Sequence, residues 1–182
     1  MLIDLTYPLK ATMISANTVG GPGHLGTHFD IMDKQFPLDY SETEGLLFNV
    51  PGRTEIGLGD VDLSRIHQGD FVLLRTAWIE EHPYDSPEYH HGHPQVSHEL
   101  IKALVGKHIR LIGVDNSGLR RGPEHTPADQ YCAEHSVFVI ENLCNLDVLL
   151  LKAGSNRFHM HTYPLNIAGL SGEPARVVAE VR

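Results

Sequence analysis

Two cysteines in 182 residues are too few for a disulfide framework. Cys132 and Cys144 also lack the spacing of a metal-binding pair, so both read as reduced structural thiols. Positive charge is scarce as well: 14 Lys and Arg stand against 23 Asp and Glu, a net −9 with the histidines neutral. That argues against nucleic acid or an anionic membrane as the main partner, since both select clustered Lys and Arg. No run approaches the roughly 20 apolar residues of a membrane span. The opening "MLIDLTYPL" lacks the basic stretch and long apolar core of a secretory signal, which gives the expectation of a cytoplasmic chain. A nucleophile elbow, a phosphate-binding glycine loop and a zinc-type cysteine cluster are missing too, so no organic cofactor is expected. No internal repeat, low-complexity tract or linker breaks the chain.

What is present is ordinary globular composition, 41% hydrophobic and 20% charged, from which disorder is not expected and which fits one domain over residues 1–182. Six segments read as strands: "LIDLTYPL" at the start, "GLLFNVPG" (45–52), "DFVLLRTAW" (70–78), "IRLIGVDNSG" (109–118), "SVFVIENL" (136–143) and "ARVVAEV" (175–181), the last with a possible partner around 163–170. Two segments read as helices: "DLSRI" (62–66) behind a capping Asp62, and "SHELIKALVGK" (97–107) behind Ser97. Helix, turn and strand alternate, which makes a mixed α/β domain.

The unusual number is thirteen histidines, since imidazole is the commonest metal ligand and a frequent acid or base. The "YHHGHP" run, His90 to His93, reads as a solvated loop between Pro87 and Pro94. His159 and His161 alternate with Met160 and as a strand would share one face, at a pocket or an oligomer interface. "GHLGTHFDIMDKQF" (23–36) is more pointed: it sets His24, His28 and Asp30 around Gly26 at offsets of four and two. In a straight strand His24 and Asp30 would stand roughly 20 Å apart at about 3.3 Å per residue, too far for one ion. A helix is disfavoured by Gly26-Thr27 and the upstream "VGGPG". A bend at Gly26 would let the three groups converge. On the residues alone two readings stand: an open three-ligand metal site, or a loop whose Asp30 caps a helix or turn.

"HLGTHFD" resembles the signature of the putative cyclase family, His-x-Gly-Thr-His-x-Asp-x-Pro-x-His, a group that includes bacterial kynurenine formamidase and isatin hydrolase. "DLTYPL", "GDFVLLRTAW", "HPQVSHEL", "IRLIGVDNSGL", "VIENLCNLD" and "YPLNIAGLSGEPARVVA" follow the family's order, so the likeness covers nearly the whole length. The resemblance implies an α/β fold with a mixed, barrel-like β-sheet core and helices packed outside, in a swivelling β/β/α arrangement. It also implies a homodimer or homotetramer, a divalent ion (zinc or manganese), and hydrolysis of a small amide, lactam or lactone by metal-activated water.

In that family one ion sits on the residues matching His24, His28 and Asp30. A second shares the aspartate and adds the last signature histidine, a downstream histidine and a glutamate twelve residues beyond it. Glu141 matches the glutamate. Asp129 stands where the downstream histidine would be, Lys34 replaces the last signature histidine, and Met32 replaces the proline. The expectation is therefore a mononuclear site with one ion per chain, and the Lys34 ammonium salt-bridged among Asp30, Asp129 and Glu141, because carboxylates crowded together want a cation. Glu141 is the first candidate for the proton acceptor, Asp129 the second and Lys34 the third. Plainer roles are an exposed lysine beside Asp33, a helix cap for Asp129 and a solvated loop imidazole for His125, although His125 could also swing in to replace the missing ligand. Ser117 reads as a turn residue and Trp78 as packing. The rival to a metal-dependent hydrolase is a family member that has lost hydrolysis and serves as a small-molecule-binding or structural protein; lyase or cyclisation chemistry is a third reading.

Overall fold

The computed structural model describes residues 1–9, 23–84 and 86–182; residues 19–22 of the glycine-rich run before the histidine motif fall outside them. Among the described residues the strands are β1 (Leu2–Asp4), β2 (His28–Asp30), β3 (Glu42–Asn49), β4 (Glu55–Ile56), β5 (Phe71–Arg75), β6 (Gln95–Val96), β7 (Leu111–Val114), β8 (Phe138–Glu141), β9 (Phe158–Pro164) and β10 (Gly172–Glu180). The helices are α1 (Trp78–Glu81), α2 (Pro87–Gly92), α3 (His98–Gly106), α4 (His125–Glu134) and α5 (Leu146–Ala153).

The main sheet runs β1-β10-β2-β8-β7-β5-β3-β9, and β9 pairs again with β10, so seven strands close into a ring with β1 added outside it. Strands β3, β5, β7 and β8 are mutually parallel, while β2, β9 and β10 pair antiparallel with their neighbours. Closure removes the exposed edges that an open sheet would present.

Alternation along each strand builds two cores. Phe29, Leu47, Phe71, Leu73, Leu111, Phe138, Ile140, Phe158, Met160 and Val177 form one cluster to which every strand of the ring contributes, and this is the barrel interior. Leu46, Phe48, Val72, Leu74, Ile112, Val114 and Val139 point the other way and pack under α3 and α4 through Leu100, Ile101, Leu104, Ala128 and Cys132. Both faces of the parallel strands are buried, which is why they read in sequence as continuous apolar runs.

Several boundaries differ from the sequence reading. The partner of the last strand is residues 158–164 rather than 163–170. The strand expected over 70–78 stops at Arg75, because the Asp115 carboxylate accepts hydrogen bonds from the backbone N–H groups of Thr76 (2.9 Å) and Ala77 (2.7 Å) and turns the chain into α1. Asp62 caps only a single 3-10 turn, Leu63–Arg65, whereas Ser97 caps α3 as its spacing suggests. The "YHHGHP" run is not a solvated loop: most of it lies in α2, with Tyr89 and His93 buried. Trp78 opens α1 and donates its indole N–H to the Tyr89 carbonyl at 3.0 Å, a packing role.

Helix α5 offers a direct check on which face the fold buries. Leu149 is fully buried in the barrel-side cluster while Leu151, two residues on, is 79% exposed. Leu149→Ala is expected to cost about 2–5 kcal/mol, and Leu151→Ala less than about 0.5 kcal/mol, in urea unfolding.

Candidate metal centre

Strand β2 lies between β10 and β8, and its register sets His28 opposite Glu141 and Asp30 opposite Val139. The two-residue pleat puts His28 and Asp30 on one face and sends Phe29 into the barrel interior. That first face is the outer one, which α4 covers. His24 joins from outside the strand because Gly26, at φ +60°, folds the chain back before β2 begins. The bend brings His24 Nδ1 to 3.0 Å from Asp30 Oδ1 and 3.2 Å from His28 Nε2.

A second group adjoins the first. Glu141 Oε2 stands 3.6 Å from His28 Nε2, and Glu141 Oε1 is 3.2 Å from His125 Nε2, which in turn lies 3.1 Å from Asp129 Oδ2. His125 and Asp129 are one helical turn apart on α4, so both reach the same side. Two sets of donors result, His24/His28/Asp30 and Asp30/His125/Asp129/Glu141, each with its ligand atoms within 4.8 Å of one another. Asp30 belongs to both.

The acids are buried without adequate partners. Asp30, Asp129 and Glu141 are each at least 95% buried. Among the described residues no well-directed hydrogen bond reaches Asp30 Oδ1 or Oδ2, Asp129 Oδ1 or Glu141 Oε1. A buried oxygen left unpaired is costly, so the arrangement fits a cation, and the donor types (imidazole and carboxylate) fit a divalent metal. In the protein alone, protons carry part of that load. Burial opposes charge on His28, but Asp30, Glu141 and the Gly26 carbonyl outweigh it and raise its pKa to about 9. The carboxylates of Asp129 and Glu141 raise His125 to about 11 against its partial burial. Burial, reinforced by neighbouring negative charge, pushes the carboxyls of Asp129 and Glu141 up. For Asp30 burial acts upward too, yet His24 and His28 outweigh it and hold the acid below the usual carboxylate range.

Supporting hydrogen bonds orient the imidazoles. His28 Nδ1–H donates to the Gly26 carbonyl at 2.8 Å, which directs Nε2 at the site. That same carbonyl accepts from Asn142 Nδ2 at 2.9 Å, and Asn142 Oδ1 accepts from the Tyr89 hydroxyl at 2.8 Å. Thr27 Oγ1 donates to the Asn142 carbonyl at 2.7 Å, tying the bend to the end of β8. His24 is held from behind by a 3.0 Å contact between its Nε2 and Ser171 Oγ.

Lys34 does not enter the site. Its Nζ lies 3.0 Å from Asp33, at the surface. The cause is local: Met32 adopts φ +58°, a turn that proline, locked near −65°, could not make. Lys34 then leaves with the turn, which Gln130 on α4 pins through a 2.9 Å bond to Asp33. The cation expected among Asp30, Asp129 and Glu141 is instead the His125 imidazole. Asp129 is no cap either: it lies inside α4. Of the two readings of His125, the solvated loop imidazole gives way: the residue opens α4 and stands beside Asp129 and Glu141, where the replacement-ligand reading would put it. Asn142, Tyr89 and Ser171 were not singled out for the site, because backbone turns and register, rather than any motif, bring them in. Ser117 sits on α2's side of the site, where its Oγ lies 3.1 Å from His90 Nδ1.

A family model described as putative cyclase matches residues 3–119, well over half the chain. The chain belongs to that family. Among solved structures, this cyclase-family chain is similar to a potential metal-dependent hydrolase with cyclase activity, at 25% identity over 100% of this chain and 98% of that one, with a TM-score of 0.80. The isatin hydrolases A from Labrenzia aggregata (20% identity, 100% and 93% of the two chains, TM-score 0.76) and Ralstonia solanacearum (20%, 100% and 92%, TM-score 0.77) share the fold. No curated protein matches the sequence.

Two outcomes follow from the geometry. Asn142→Ala removes the bond that steadies the Gly26 carbonyl, and is expected to weaken divalent-ion affinity by about 10–100-fold, with Tyr89→Phe weaker in the same direction; competition with a chromophoric chelator measures both. Because ions bind neutral imidazole while His28 and His125 hold protons until about pH 9 and 11, ion uptake at pH 7 should release protons and apparent affinity should rise with pH. Calorimetry in buffers of different ionisation enthalpy reads this directly, and a buffer-independent heat contradicts it.

Proposed function

We propose that this protein is a metal-dependent hydrolase of a small amide, lactam or lactone, with two ion subsites that share Asp30. The observation that carries the reading is the pair of adjoining donor sets whose buried carboxylate oxygens lack other partners. Family membership and likeness to a potential metal-dependent hydrolase support it. The mononuclear expectation rested on two missing histidines, and His125 offers an imidazole from one turn earlier on α4 than the position matching the family's, which favours the two-subsite reading.

A divalent ion held there would supply Lewis-acid polarisation of a carbonyl and acidification of water. The chain's own residues do the rest. His24 and His28, with Asp30 between them, form the first subsite, and their outward nitrogens are fixed by Ser171 and Gly26. Asp129 and His125 face Asp30 from α4. Glu141 reaches toward both sets, one oxygen near His28 and the other near His125. With its pKa raised by burial and by Asp30, it is suited to accept the proton of an attacking water and return it to the departing nitrogen or oxygen. Asp129 is the second carboxylate able to do so.

The test is hydrolysis of a panel of small lactams, lactones and N-acyl amides, followed by product analysis. Chelator should abolish turnover and Zn2+ or Mn2+ should restore it. His24→Ala and His28→Ala should reduce turnover to the uncatalysed background, while Lys34→Ala, being at the surface, should leave it unchanged. Tight ion binding with no turnover across the panel would favour a binding protein over an enzyme.

A further inference from the structure

We infer that the two subsites differ in the ion they favour: His24/His28/Asp30 suits a borderline ion such as Zn2+, and Asp30/His125/Asp129/Glu141 is biased toward a hard, oxygen-seeking ion of the Mn2+ kind. The inference rests on the metal-centre reading above and deepens it.

The donor sets carry the argument. The first offers two imidazole nitrogens and one carboxylate; the second offers three carboxylates and one imidazole. Nitrogen-rich sites suit Zn2+, whereas carboxylate-rich sites shift the balance toward Mn2+ and its hard relatives. The spatial order sharpens the difference. Asp30 and Asp129 have side chains only 1% exposed and Glu141 only 5%, while the side chain of His125 is 33% exposed and stands at the rim. The second set's fixed inner donors are therefore all oxygen, and its single nitrogen is the donor that solvent can most readily replace. The first set is the reverse in one respect: its wholly buried His28 is a nitrogen ligand locked to the Gly26 carbonyl. Asp30 Oδ2 and Asp129 Oδ1, buried and without a hydrogen-bond partner among the described residues, point to a ligand independently of this comparison.

Position 129 is decisive. A carboxylate there makes the deep part of the second subsite anionic, and the imidazole one turn up the helix contributes only from its edge. Because Zn2+ outbinds Mn2+ at most nitrogen and oxygen sites, the bias is read as the ratio of Zn2+ to Mn2+ affinity at each subsite rather than as an absolute preference.

The experiment uses chelator-stripped full-length protein and equilibrium binding of the ions alone. Mn2+ uptake is followed by loss of the free-ion electron paramagnetic resonance signal, before and after one equivalent of Zn2+, and Zn2+ uptake by chelator competition. The Zn2+ to Mn2+ affinity ratio should be at least about tenfold smaller for the second ion than for the first. Asp129→Asn, which keeps the side chain's shape, should lower Mn2+ affinity by about tenfold or more and leave the first Zn2+ equivalent unchanged. His24→Ala should do the opposite, losing the tight Zn2+ equivalent while retaining Mn2+. Equal ratios at the two subsites, binding of only one ion in total, or parallel loss of both ions in Asp129→Asn would overturn the inference and leave a metal-dependent hydrolase standing. Failure of the unaltered protein to bind either ion would overturn both.

Discussion

Mutual repulsion among three buried carboxylates is the constraint around which this molecule is arranged. Asp30 comes from β2, remote in sequence from Asp129 and Glu141 on the consecutive α4 and β8, and none would choose this company in isolation. Several kcal/mol per buried ion is the usual scale of the penalty when charges lack partners. The closed apolar barrel and the second core under α3 and α4 offset it, since each fixes one of the elements involved. Register then does the fine placement: the same antiparallel pairing that buries Phe29 and Ile140 in the interior puts His28 against Glu141 on the outer face. The site could not relax its repulsion by sliding one strand without turning Phe29 out of the core.

Local relief comes from imidazole. In the protein without an ion, His28 and His125 keep protons well above neutrality because carboxylates surround them, so positive charge already stands near where a divalent ion would stand. This explains how the fold tolerates the cluster before an ion arrives, and why Lys34 is not needed there. Residues four apart on α4 project to one side, which is how His125 comes to stand beside both Asp129 and Glu141.

The parallel strands were legible because their signal is dense. "FVLL", "LIGV" and "FVIE" are apolar on both faces, and the structure buries both faces. Helices α4 and α5 were not legible. Pro127 lies within the first turn of α4, where proline is tolerated, yet in sequence it reads as a break, and the apolar side of α4 is made of the small Ala128, Cys132 and Ala133 with a partly buried Tyr131. Helix α5 starts behind Asn145, a common cap residue that here sits at φ +56° and makes no cap hydrogen bond, and its eight residues are too few for a clear helical period. The first donor set could be argued from spacing because all three residues lie within seven positions of one bend. The second could not, since it is assembled by sheet register and by the packing of α4. The placement of Lys34 failed for a smaller reason: a single backbone turn at Met32 redirects everything after it.

The same layout sets which donors face solvent and which are enclosed. Strands β2 and β8 close the inner wall with His28, Asp30 and Glu141, all at least 95% buried, and α4 lies across the face that they present. The donors with appreciable side-chain exposure are His24 at 25% and His125 at 33%, one from each set. Gly118 stands so close to these groups that a Cβ there would lie 2.9 Å from the His125 ring and 3.0 Å from Glu141 Oε1. A side chain at 118 would therefore press on donors of the second set, and the glycine leaves the loop after β7 free to pack against them without displacing either. Each partly exposed imidazole rests on a buried carboxylate, His24 on Asp30 at 3.0 Å and His125 on Glu141 at 3.2 Å, so each donor set has an outer nitrogen backed by an inner oxygen.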